Sequence, residues 1–119
     1  MPDQRNRIGL TTLTYQILLA LAEGPCHGYA ILKEIEERGG LEALPSTGAL
    51  YTALSRLESA QHITEAEPPA SETDPRRRYY AITPSGQAVA KSESRRLAAM
   101  VAVARERRLL PGPLHTGDR

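Results

Sequence analysis

Residues 62–84 read HITEAEPPASETDPRRRYYAITP, and the change of hydrophobic period inside this stretch decides the architecture of the 119-residue chain. Upstream, apolar residues recur at helical spacing; here they alternate. His62, Ile63, Thr64, Glu65 and Ala66 read as a short strand, and Arg77 to Thr83 as a second, with Tyr80 and Ile82 on one face and Tyr79 and Ala81 on the other. Between them Pro68 to Pro75 is polar and carries three prolines. That loop is longer than a tight turn, so the strands form a hairpin with a projecting tip. Thr83-Pro84 then starts a helix, a capping hydroxyl followed by proline at the first helical position.

Working outward, three helices precede the hairpin. The first spans about Leu10 to Glu23, with Leu13, Ile17, Leu18 and Leu21 on one face, Thr11 or Thr12 as cap and Gly24-Pro25 as stop. The second runs from His27 or Gly28 to Arg38, apolar through Ile31, Leu32 and Ile35 and ended by Gly39-Gly40. An apolar connection from Leu41 to Pro45 leads to Ser46, the cap of a third helix from Thr47 to about Ala60. Leu50, Leu54 and Leu57 form the buried stripe of that helix; Tyr51, Thr52, Ser55, Arg56 and Glu58 fall on its exposed side. After the hairpin, residues 84–109 form one long helix that stops at Pro111-Gly112-Pro113. The expected fold is mainly α with a small β-hairpin wing: a winged helix-turn-helix (α+β) with a long C-terminal dimerisation helix. Its first strand, a residue or two in such folds, is expected around Leu44. The chain divides into a flexible N-terminal arm (1–9), the winged domain (10–83), the long helix (84–110) and a disordered tail (111–119).

The length admits one domain and a modest core, too little for a barrel or a full dinucleotide-binding fold. Cys26 is the single cysteine, so no internal disulfide forms. His27, His62, His115 and Cys26 lack zinc-ligand spacing. No apolar run approaches the roughly 20 residues needed to span a bilayer, and no secretion signal follows the charged start. The chain therefore reads as cytoplasmic, without membrane association, metal or cofactor. No paired carboxylates, nucleophile elbow or phosphate loop is present, so enzymatic activity is not expected. No stacking platform for single-stranded RNA is present either.

The formal charge of +1 hides a segregated distribution. Residues 23–74 hold ten acids against Lys33, Arg38 and Arg56, net −7, whereas Arg76, Arg77 and Arg78 are consecutive at the end of the hairpin loop. Residues 84–110 carry a further net +4. The arginines stand where they reach a phosphate backbone or a minor groove. The third helix has the make-up of a major-groove reader. Ser46, Thr47 and Gly48 place backbone amides and small groups at its start, Tyr51 can donate to a phosphate, Thr52 and Ser55 to base edges, and Arg56 lies toward the backbone. On the long helix Val89, Leu97, Met100, Val101 and Ala104 make an apolar side that one small domain cannot fully cover, and the economical partner is the same helix of a second copy.

Three short motifs, in order, add a resemblance. His27-Gly28-Tyr29-Ala30-Ile31, then Gly48-Ala49-Leu50-Tyr51 with Leu54, Arg56, Leu57 and Glu58, then Arg77-Arg78-Tyr79-Tyr80-Ala81-Ile82-Thr83 with Gly86 resemble elements of the PadR family of bacterial transcriptional regulators. The resemblance covers about residues 10–105. It implies a winged helix-turn-helix protein that dimerises through its C-terminal helices, binds double-stranded operator DNA and represses transcription, with release by a small effector in some members. It matches Tyr51 to a phosphate-contacting tyrosine, Arg77 and Arg78 to basic wing residues, and Tyr79 and Tyr80 to wing-strand tyrosines, at least one packed on the helices. His27 is expected to make a local cap-like hydrogen bond, and Tyr29 to be a packing residue.

The sequence also departs from the pattern. Ala49 and Thr52 replace the usual threonine and proline, and Gln61-His62-Ile63 lacks the usual glycine after the third helix. With no Trp anywhere, the final helix lacks the rings that drug-binding members stack against planar ligands. The competing reading is a winged-helix protein-interaction module without DNA binding, which the acidic 23–74 block favours.

Overall fold

The computed structural model describes residues 10–39 and 43–111. The N-terminal arm, residues 40–42 of the connection and the tail from residue 112 lie outside the described residues. Seven elements follow in order: α1 (Thr12–Leu21), β1 (Cys26–His27), α2 (Gly28–Arg38), α3 (Thr47–Ser59), β2 (Ile63–Ala66), β3 (Tyr79–Ile82) and α4 (Pro84–Glu106). This is the expected winged architecture, mainly helical with a small antiparallel sheet.

The helix starts are set by side-chain caps that satisfy otherwise unpaired amides. Thr11 caps α1 by accepting from Thr14 N–H, Ser46 caps α3 by accepting from Ala49 N–H, and Thr83 caps α4 by accepting from Gly86 N–H ahead of Pro84 at N1. Two ends depart from glycine chemistry. At Gln61 φ is +66°, with His62 N–H donating to Leu57 C=O and Gln61 N–H to Glu58 C=O, a Schellman end to α3. Gln61 thus adopts the left-handed conformation that glycine takes freely, at about 1 kcal/mol. Arg108, at φ +61°, closes α4 in the same way, with Leu109 N–H donating to Ala104 C=O. That turn, ahead of Pro111, ends α4 at Glu106, three residues short of the expected 109.

The sheet order is β1-β3-β2, antiparallel throughout, with Cys26 opposite Tyr80 and Ile63 opposite Ile82. The short first strand is therefore Cys26–His27 rather than a segment around Leu44. Leu44 is exposed in irregular chain. Gly24-Pro25 ends α1 so that the next two residues run extended along the edge of β3, a pairing no local pattern announces. The regular wing strands are also shorter than the sequence reading, which leaves Arg77 and Arg78 in the loop.

One core joins these elements: Ile17, Leu18 and Leu21 of α1, Ile31 and Ile35 of α2, Leu50, Leu54 and Leu57 of α3, Ile63 of β2 and Tyr80 of β3. Val89 and Ala90 of α4 pack against it. Beyond them α4 continues, 23 residues in all and about 35 Å long at 1.5 Å per residue. Tyr15 on α1 shares a 2.6 Å hydrogen bond with Ser94, tying the first half of α4 to the domain.

Candidate nucleic-acid interface

Helix α3 turns Leu50, Ala53, Leu54 and Leu57 inward, which leaves Ser46, Thr47, Gly48, Tyr51, Thr52, Ser55 and Arg56 exposed along the opposite side. Seven of the ten residues read as DNA-contacting therefore share one helix and one solvent face. Tyr51 lies across a glycine. A Cβ on Gly28 would lie 2.5 Å from the Tyr51 hydroxyl oxygen, so a side chain there would push the exposed phenol to another position. From the sequence Gly28 reads as a helix start and as part of the His27–Ile31 motif; its closeness to Tyr51 is a tertiary contact that neither reading conveys.

The wing supplies Arg76, Arg77 and Arg78, and each meets acids of the same chain. Arg76 pairs with Asp74, whose carboxylate also accepts from the Arg76 N–H at 2.9 Å. Arg77 lies 3.5 Å from Glu72. Arg78 is 3.2 Å from Glu65 and 3.9 Å from Glu58, with its guanidinium 5.6 Å from the centre of the Tyr80 ring. The acidic block is thus partly directed onto the wing. It positions the arginines and, at the same time, competes for them.

Glu72 is the fixed point of the wing loop. The Tyr79 hydroxyl donates to it, the Asp74 N–H donates to its second oxygen at 2.9 Å, and Arg77 stands beside it. The Tyr79 hydrogen bond, then the backbone one, hold its carboxyl down to about 2 from an ordinary 4.5. A carboxylate whose folded value is depressed stabilises the wing above its unfolded value and loses that contribution as pH falls through the window from about 4.5 to 2. Native-state hydrogen exchange around residues 67–78 is expected to accelerate as pH falls through this window, after correction for intrinsic rates. In Glu72→Gln the loop is expected to exchange faster at neutral pH, with the additional acid loosening gone. Equal pH responses in the two proteins would remove Glu72 from this role.

His27 caps α2: its Nδ1 accepts from Ala30 N–H at 3.2 Å, the local hydrogen bond expected of it. The ring lies edge-on to Tyr79 at 5.2 Å and stacks beside Tyr29, whose centroid is 6.4 Å away. Tyr29 is 59% exposed, so it is not a packing residue of the core. Tyr79 and Tyr80 are both buried, Tyr80 within the core.

On α4 the five residues read as a dimer face separate. Val89 packs on the chain's own core and Leu97 and Ala104 are half-buried, while Met100 and Val101 are exposed at 54% and 37%. Val103, exposed at 44%, joins them and was not in the sequence reading. Among the described residues no group of three or more His, Cys, Asp or Glu side chains is placed to hold a metal ion, and no helix is long and apolar enough to cross a membrane.

Helices α1–α3 with a three-stranded sheet and a long hairpin loop define a winged helix-turn-helix protein. The chain belongs to the transcriptional regulator PadR-like family, whose pattern matches residues 17–92. It is similar to a PadR family transcription regulator from Clostridium difficile (TM-score 0.71, 25% identity, 81% of this chain and 97% of that one). It is likewise similar to a transcriptional regulator from Clostridium thermocellum (TM-score 0.64, 29% identity, 78% and 89%). An uncharacterized 37.1 kDa protein in a transposon of Streptomyces fradiae is 39% identical over 82 residues, 69% of this chain and 22% of that protein. The chain therefore spans about a fifth of that relative's length. Family membership makes the chain a DNA-binding transcriptional regulator in general character, in a family of regulators rather than enzymes.

Proposed function

We propose that the chain is a homodimeric repressor that binds a near-palindromic operator. Residues 10–83 bind the DNA and 84–110 pair with a second copy. The observation that carries this reading is the shared exposure of Thr47, Tyr51, Thr52, Ser55 and Arg56 on one face of α3, beside the arginine-bearing wing. Two such helices entering major grooves about one turn apart would read two half-sites, with Arg76, Arg77 and Arg78 on the backbone or in the minor groove. A small effector is compatible with this scheme; no residue here names its chemistry. The direct test is binding of a duplex from the region upstream of the chain's own gene. Retardation at lower protein concentration than a scrambled duplex of equal length is expected; equal retardation would refute sequence-specific recognition.

The exposed Met100, Val101 and Val103 support pairing through the outer half of α4, an apolar patch that no element among the described residues covers. The double substitution Met100→Glu/Val101→Glu is expected to weaken dimerisation by at least about tenfold, since it places charges in a buried contact. Sedimentation velocity reads this directly, and the melting temperature of the winged domain should hardly move. A parent chain that sediments as a monomer at micromolar concentration would exclude this interface.

A further inference from the structure

Beside the wing, a groove of about 450 Å³ is lined by His27, Tyr29, Lys33, Glu34, Glu37 and Arg77. Its hydrogen bonding does not balance internally. The Ala30 N–H occupies His27 Nδ1, so the neutral ring carries its proton on Nε2. That nitrogen stands 3.3 Å from an Arg77 guanidinium nitrogen, itself a donor. The opposite tautomer only moves the conflict, turning a ring N–H against the Ala30 amide. Desolvation and then the nearby Arg77 charge push the His27 pKa down, against a smaller opposing pull from Glu72, in keeping with a neutral ring. Two donors at this spacing are satisfied together by one acceptor oxygen placed between them.

We infer that His27 Nε2–H and Arg77 form a seat for a backbone phosphate of the bound duplex, with Lys33 reaching the same strand. This inference rests on the DNA-binding reading and extends it to α2, which no motif assigned to the contact. The place favours it: Gly28, next to His27, carries the Tyr51 hydroxyl of α3, and Arg77 belongs to the wing, so the seat joins the two surfaces already described. The nearby acids leave the seat open. Glu72, 3.5 Å from the same Arg77 nitrogen, takes one of its two N–H groups and is itself held by Tyr79 and the Asp74 amide. Glu34 is engaged by Arg38, and Glu37 lies ten residues along α2 from His27, about 15 Å away.

The test separates donor from charge. His27→Asn keeps a good capping acceptor for α2 and deletes the ring N–H. It is expected to weaken duplex binding roughly tenfold, the effect of losing one hydrogen bond to a charged group, with the salt dependence unchanged. Lys33→Gln is expected to reduce the slope of log affinity against log salt by about 0.9, one phosphate contact. Helix content by circular dichroism checks that both variants keep α2 intact. If the parent binds DNA and both variants bind it identically, the seat is overturned while the DNA-binding reading stands. If the parent binds no duplex, both fall. NMR of the His27 ring separates the source of the phosphate. Shifts on adding a mixed-sequence duplex support the seat, whereas a response to millimolar inorganic phosphate with none to duplex would make it a free-anion site and overturn the assignment.

Discussion

Replacing Gly86 with alanine is expected to destabilise the domain by roughly 3 kcal/mol, the upper range for an overpacked site, and to lower its melting temperature by more than about 10 °C. The position is in the first turn of α4, where alanine is otherwise the better helix former. The cause is therefore not propensity. A Cβ there would lie 2.1 Å from the His62 carbonyl oxygen and 2.8 Å from Ile82 Cγ1. Neither neighbour can yield cheaply. The His62 carbonyl accepts from Thr83 N–H at 3.1 Å and lies between the Schellman turn at Gln61 and strand β2. Ile82 is paired with Ile63 in the sheet. Relief requires α4 to lift off the wing, which also strains the Thr83 cap, since Thr83 Oγ1 accepts from Gly86 N–H at 3.0 Å. Thermal denaturation followed by circular dichroism measures the loss. A change of less than about 1 kcal/mol would show that the His62 carbonyl relaxes and that glycine is not required for the approach.

This contact marks the limit of what the sequence conveys. The hydrophobic period carried the helices, the hairpin and the inward stripe of α3, because Leu50, Leu54 and Leu57 repeat at the spacing that one helix face imposes. Thr11, Ser46 and Thr83 were legible as caps for the same local reason. Strand β1 was not, since two residues have no period and their partner lies more than fifty positions away at Tyr79 and Tyr80. Close approaches were equally hidden. Gly28 and Gly86 look like ordinary helix-start glycines until Tyr51 and the His62 carbonyl are placed against them. The ten candidate DNA contacts follow from local motifs, but the pairing of Arg77 with Glu72 and of Arg78 with Glu65 depends on how the loop folds back, which composition cannot give. The same holds for Val89, whose helical spacing assigned it to a partner helix while the packing assigns it to the chain's own core.

Removing the two inner wing arginines, Arg77→Ala/Arg78→Ala, is expected to weaken duplex binding about 100-fold at physiological salt, near tenfold for each charge-assisted phosphate contact. Because each phosphate contact contributes about 0.9 to the slope of log affinity against log salt, the double variant should lose close to 2 from that slope, and each single variant about half of it. Fold loss is not an adequate alternative cause. Arg77 and Arg78 are exposed, the Arg78–Glu65 pair is a surface pair worth about 1 kcal/mol or less, and the covered Glu72 carboxylate keeps its Tyr79 and Asp74 donors when Arg77 is removed, so the melting temperature should change little. The intramolecular acids supply a further test of direction. DNA must take Arg78 from Glu65 and Glu58, so Glu65→Gln is expected to tighten binding a few-fold while leaving Arg78 in place over Tyr80. A protein-interaction module that happened to carry a basic wing would show neither trend. Titration by fluorescence anisotropy at several salt concentrations distinguishes the two. An unchanged slope in the double variant, or weaker binding in Glu65→Gln, would remove the wing from the DNA interface and leave α3 to bind alone.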